Sequence, residues 1–260
     1  MPRWLSGVLS ELELDRPTIV TGDIVAEIRE RLGVKPATHR IVEELRRRGW
    51  LLDIGVPGAW EFAPAERAGA ISSGDPFLPL RATLQTGPEI PVSVALGSAL
   101  WLLNLSDRAP DRHEVALPKR TRVPVALKRA YRTVHHNARL KPLQIRDMPV
   151  HRAATVLIHL ASRPTDVRSW GSVLGVLPDI LAHASEEDIV SELRDRTDAT
   201  RVRFAYLVSG IAPDLVERLS IEPGGKVWFG PRGPLLRHDA HWQVADTILP
   251  FPPPAREGHA

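Results

Sequence analysis

Eight residues between positions 35 and 48 carry the side-chain chemistry of nucleic-acid recognition: Lys35, Thr38, His39, Arg40, Glu43, Arg46, Arg47 and Arg48. Cations of this kind meet phosphate oxygens, and an arginine fork can take O6 and N7 of one guanine together. At about 100° per residue, His39, Glu43 and Arg46 share one side of a helix, with Arg40 and Arg47 beside them. Lys35 and Thr38 stand at its N-terminal end. The expected division of labour is Arg40 or Arg47 at base edges and Lys35 and Arg46 at phosphates. Glu43 can accept from a cytosine amino group or pair with Arg47 four residues on. A plainer reading of Arg46, Arg47 and Arg48 is that they complement the negative end of the helix dipole.

These residues need a helix to present them, and the sequence supplies one. Ala37, Ile41 and Leu45 recur every fourth residue and form an apolar face. Pro36 suits the first helical position, and Gly49 suits a left-handed cap at the end. Residues 50–54 and 59–63 then read as two strands around the turn Gly55-Val56-Pro57-Gly58, a hairpin signal. Upstream, residues 4–12 follow a helical period until Arg16-Pro17. Thr21 is an N-cap for a second helix carrying Ile24, Val25, Ile28 and Leu32, closed by Gly33. Two helices across a short glycine-containing turn, with a helix before and a hairpin after, spell a winged helix-turn-helix over residues 1–70. The hairpin turn holds no Lys or Arg, so little wing–phosphate contact is expected there.

The polar run Ser72-Ser73-Gly74-Asp75-Pro76 reads as a linker, which puts a domain boundary near Ala70. Residues 71–260 read as a mixed α/β domain with a helical second half, an α+β chain overall. Helices are expected at 77–84, 96–105, 150–161, 170–184, 186–195, 199–209 and 213–219. Strands are expected at 91–94, 114–117, 132–136, 143–146, 226–229 and 242–244. Residues 249–260 are Pro-rich and read as a frayed tail.

Composition sets further bounds. The 260 residues include no cysteine, so disulfides and thiolate chemistry are excluded. No apolar run approaches the ~20 residues of a membrane span, and no secretory pattern opens the chain, so a cytoplasmic protein is expected. The net charge is +3, unevenly spread. Residues 1–70 are near neutral, whereas residues 112–146 hold ten Lys/Arg against one acid, Glu114. Within that segment Lys119, Arg120, Arg122, Lys128, Arg129 and Arg132 form a second basic surface. Three readings stay open for it: DNA backbone binding, binding of an acidic partner, tRNA or nucleotide, and a solvated surface.

Catalytic patterns are weak. Gly97-Ser98 has the form that opens a nucleotidyltransferase site, but that chemistry needs two carboxylates alternating on a strand to hold Mg²⁺. Asp107, Asp111 and Glu114 make no such pair, and small residues in a packed helix are the better reading. His135 and His136 point to opposite faces of a strand, and His151 and His159 lie eight apart with no carboxylate at ligand spacing. No catalytic residues, metal site or cofactor are expected, and the chain is read as a non-enzyme.

Several segments together resemble the AbiEi-type antitoxins, the regulator half of AbiE-type toxin–antitoxin operons. They are Val20-Thr21-Gly22-Asp23, Glu44-Leu45-Arg46-Arg47-Arg48-Gly49-Trp50-Leu51, Gly58 to Pro64, Ala70 to Arg81, and Ser93 to Trp101. The resemblance spans most of residues 15–120 in the same order. It implies a repressor that binds inverted repeats in double-stranded DNA upstream of its own operon, and an antitoxin that counteracts a nucleotidyltransferase-like toxin. Two copies per operator are expected on such a site. The rival from another class is a winged-helix module that docks protein rather than DNA. An enzyme acting on nucleotides or on the toxin is a third class.

Overall fold

The structure, a computed structural model, describes residues 2–67, 71–87 and 90–255. It divides into two compact units, Met1–Ile90 together with Val123–Ala130, and Pro91–Arg122 together with Tyr131–Ala260.

The first unit opens with α1 (Arg3–Asp15), β1 (Ile19–Thr21), α2 (Gly22–Arg31) and α3 (Thr38–Arg47). The hairpin β2 (Leu51–Asp53) and β3 (Ala59–Phe62) follows, and the three strands form an antiparallel sheet in the order β1-β3-β2. The apolar stripes of the helices converge. Leu5, Val8, Leu9 and Leu12 of α1 meet Val25 and Ile28 of α2 and Ile41, Val42 and Leu45 of α3 over Leu51 and Phe62. Burial of these side chains, each worth roughly 1.5–3 kcal/mol, holds α3 in place.

The stretch read as a linker is fastened to this unit. Glu61 on β3 is fully buried and accepts from Arg67 Nη1 (2.5 Å), Ser72 Oγ (2.7 Å) and Ser73 N (2.6 Å). These donors hold its carboxyl below the usual range, against the opposing effect of burial. α4 (Leu78–Thr86) then packs on β1 and β3. The boundary expected near Ala70 falls outside the described residues, and the first unit runs past it to Ile90.

The second unit holds a mixed five-stranded sheet in the order β6-β5-β4-β8-β7. Its strands are β4 (Ser93–Val94), β5 (Glu114–Leu117), β6 (Arg132–His135), β7 (Leu143–Ile145) and β8 (Met148–Val150), with α5 (Leu96–Leu102) between β4 and β5. The connection from β5 to β6 contains α6 (Val125–Ala130), whose contacts are with α4, so it counts with the first unit. α7 (Ala153–Ser162) is buried from Ala153 through Ala161, as a helix that is apolar on nearly every side must be, with Thr155 and His159 its two buried polar side chains. Around it lie α8 (Trp170–Ala182), α9 (Glu186–Leu193) and α10 (Asp198–Val208), followed by α11 (Pro213–Arg218).

A three-stranded sheet closes the chain, in the order β10-β11-β9, from β9 (Val227–Phe229), β10 (Arg237–Asp239) and β11 (Val244–Asp246). β8, β10 and α6 went unforeseen. Within the stretch expected as a frayed tail, Leu249 and Phe251 are hydrogen-bonded to the last sheet. Asp246 Oδ1 accepts from the Ile248 and Leu249 amides (3.0 Å each), and Arg237 Nη1 donates to Leu249 O (2.9 Å) and Phe251 O (3.1 Å). Residues 256–260 of that tail lie outside the described residues.

Candidate nucleic-acid interface

A short turn aims α3. Gly33 takes a left-handed φ of 63°, and the Val34 amide donates back to Arg29 O (3.0 Å), closing α2. Arg29 Nη1 reaches across to Thr38 Oγ1 (3.3 Å) and ties the two helices. α3 begins two residues later than expected. Ala37 is its N-cap, with extended backbone, so Pro36 precedes the helix and Ala37 stays exposed rather than joining the apolar face. Thr38 is thereby committed to Arg29 and only half exposed.

Ile41, Val42 and Leu45 face inward, and His39, Arg40, Glu43, Arg46, Arg47 and Arg48 face solvent, as does Lys35 just before the helix. Apart from Ala37, the helical period sorts these two faces as the structure has them. The charge pairing differs from expectation. Arg47 takes Glu44, not Glu43, through Nε (3.0 Å) and Nη2 (2.7 Å), and Arg48 Nε takes the same carboxylate at 2.7 Å. The two guanidinium groups hold the Glu44 carboxyl down at about 2. Lys35, Arg40 and Arg46 enter no ion pair among the described residues. They are the uncompensated cations of this face.

The hairpin beside α3 is built as the sequence predicted. Asp53 Oδ1 accepts from the Gly55 amide (2.8 Å), and Gly55 and Gly58 both take positive φ, at 75° and 77°. Its turn is not free. Val56 is 6 % exposed and packs with Ile19, Ala59, Leu78 and Ala82, with Ile54 and Ala126 against the same cluster.

The residues expected to form a second basic surface belong to both units. Lys119, Arg120 and Arg122 are exposed on the second unit, and Lys128 and Arg129 are exposed on α6 of the first. Arg132 is not a surface cation. The parallel register of β5 and β6 sets it opposite Glu114, and its Nη1 donates to Glu114 Oε1 at 2.6 Å. Gly97 and Ser98 serve the same carboxylate's strand. The Gly97 amide donates to Glu114 Oε2 (2.8 Å), and buried Ser98 Oγ accepts from the Glu114 amide (2.8 Å).

Three histidines that lie apart in the sequence are brought together in the second unit. The His136 and His159 rings stack at 4.3 Å with 12° between planes, and His151 stands edge-on to His136 at 5.8 Å. Burial drives all three below the ordinary imidazole value, His151 to about 3. The packing of β6 and the residues around α7 makes this cluster, which no local spacing could reveal. Among the described residues no set of three or more His, Cys, Asp or Glu side chains is placed to hold a metal ion. None of the helices among those residues is long and apolar enough to cross a membrane.

Residues 92–209 match the family model described as the AbiEi antitoxin C-terminal domain. The chain carries an AbiEi-type antitoxin domain. The likeness therefore extends well beyond residue 120, where the sequence motifs thin out. The fold is also similar over nearly its whole length to the crystal structure of the RV2827C protein from Mycobacterium tuberculosis. That match has a TM-score of 0.80 and 27% identity, covering 96% of this chain and 93% of that one. No curated protein matches the chain.

Proposed function

We propose that this chain is the antitoxin and transcriptional autorepressor of a toxin–antitoxin operon, and that its first unit is a winged helix-turn-helix. α3 is the recognition helix, and Lys35, His39, Arg40 and Arg46 supply most of its contacts to double-stranded DNA. The observation that carries the reading is the sorting of α3, with its apolar residues in the core and Lys35, Arg40 and Arg46 outside and unpaired. The order helix, strand, helix, helix, hairpin, with its β1-β3-β2 sheet, supports it. Two copies would meet the two halves of an inverted repeat, about one helical turn or a multiple of it apart. The antitoxin domain would counteract a nucleotidyltransferase-like toxin in the cytoplasm, without an enzymatic step of its own.

Footprinting on the DNA upstream of the chain's own gene tests this reading. The wild type should protect a repeated sequence, and Arg40→Ala/Arg46→Ala should lose that protection while still neutralising the toxin encoded beside it. Protection that is absent at low salt, or unchanged in the double variant, would overturn the assignment of α3. A docking module for protein would keep its partner at high salt, whereas a DNA contact weakens steeply.

A further inference from the structure

A cavity of about 320 Å³ opens in the second unit between α5, the loop before β5, and α8. That volume lies at the lower end of the ~300–1,000 Å³ usual for small-ligand sites. One wall is apolar, made by Leu100 of α5, Leu160 of α7, and Val173 and Val176 of α8. Glu114 also lines it, with a side chain only 8 % exposed, and is already matched by Arg132 and the Gly97 amide. With that carboxylate answered, the remaining charged lining is Arg108, Arg112 and Arg168 against Asp111, so the cavity is electropositive. Arg112 is engaged by Tyr131 O (2.9 Å), whereas Arg108 and Arg168 are exposed and enter no ion pair among the described residues.

We propose that this cavity binds a small amphipathic anion, with its apolar or planar body on Leu100, Leu160, Val173 and Val176 and its phosphate or carboxylate held by Arg108 and Arg168. Arginine forks suit both head groups, because two parallel N–H donors match two anionic oxygens. The apolar wall explains why a bare inorganic anion would leave most of the cavity unfilled. A desolvated carboxylate such as Glu114, still with lone pairs to offer, also gives a hydrogen-bond acceptor to the N–H edge of a planar body. The site lies wholly in the second unit and does not depend on how α3 reads DNA. Two sources share this chemistry, a nucleoside monophosphate and a medium-chain aliphatic carboxylate.

Isothermal titration of the full chain with GMP and, separately, with decanoate tests the proposal. One probe is expected to bind with one-to-one stoichiometry, and the one that binds identifies the source. Its affinity should fall at least about tenfold in Arg108→Ala/Arg168→Ala, since two charge-assisted contacts are lost. It should vanish in Val176→Trp, which fills the cavity from a half-buried position. Because Arg108 and Arg168 are exposed, their double variant keeps the fold and remains decisive if Val176→Trp does not. Failure of both probes to bind at about 1 mM, or equal binding by the double arginine variant, would overturn the proposal.

Discussion

Glu44→Gln should strengthen DNA binding and make it more sensitive to salt. The Glu44 carboxylate holds both Arg47 and Arg48, so these three side chains together carry a net charge of +1. Its pKa near 2 means that it is fully ionised at any pH above about 5, and the substitution removes a whole negative charge under ordinary assay conditions. Glutamine keeps the side-chain length but releases Arg47 and Arg48 to reach phosphates. Each added phosphate contact steepens the slope of log affinity against log salt by about 0.9, so a fourfold rise from about 50 to 200 mM costs an extra factor of about 3.5 per contact. The pairs are superficial, and such pairs add little to stability, so the fold should be unaffected. Fluorescence anisotropy with a labelled operator duplex, titrated with salt, reads both quantities. An unchanged slope would show that these arginines do not approach DNA. Weaker binding at every salt concentration would show that Glu44 positions α3 contacts rather than masking them.

The stacked histidines predict acid sensitivity. Because burial depresses their folded pKa values, the unfolded chain binds more protons, and the stability they allow is fully present above the unfolded value near 6.5 and lost below it. His159 is partly offset by Asp166 at 3.2 Å, and Arg196 and Arg163 also face the cluster, so His136 and His151 are the clearer pair. Between pH 7.5 and 5.5 these two should remove about 3 kcal/mol from the unfolding free energy. Denaturant titrations should show half that loss in His136→Phe, and a flat profile in the wild type would refute the argument. Glu192→Ala should cost about 3–5 kcal/mol, because it strips Arg196 and Thr155 Oγ1 of a buried acceptor. A loss below about 1 kcal/mol in the same assay would show that the site relaxes or takes in water. Leu45→Ala, at a fully buried position under α3, should cost about 2–5 kcal/mol and lower the melting temperature of the first unit. An unchanged transition would mean that α3 is not held by this core.

What local spacing governs was legible in the sequence. The two faces of α3 follow from a period of 3.6 residues, and the hairpin follows from glycines at positions that need positive φ. The start of α3 was misread because a proline is tolerated both at the first helical position and just before the helix. Glu43 and Glu44 stand four and three residues before Arg47, and both spacings permit a pair. Arg48, four residues after Glu44, decides between them by sharing its carboxylate. Arg132 could be removed from the basic surface only through strand register, and His136, His151 and His159 meet only through tertiary packing.

The uncharged hairpin turn has a structural cause that the sequence did not disclose. Ile54 and Val56 belong to the cluster that joins the hairpin to α4, and Gly55 and Gly58 adopt conformations that other residues resist. A lysine or arginine at position 56 would have to bury its charge among Ile19, Ala59, Leu78 and Ala82, at a cost larger than a surface phosphate contact returns. Pro57 alone is exposed without such a constraint. The same packing that carries the first unit past the expected boundary thus keeps charge off the hairpin. The uncompensated cations of this face are left to Lys35, Arg40 and Arg46, which is why the double arginine variant is the decisive one.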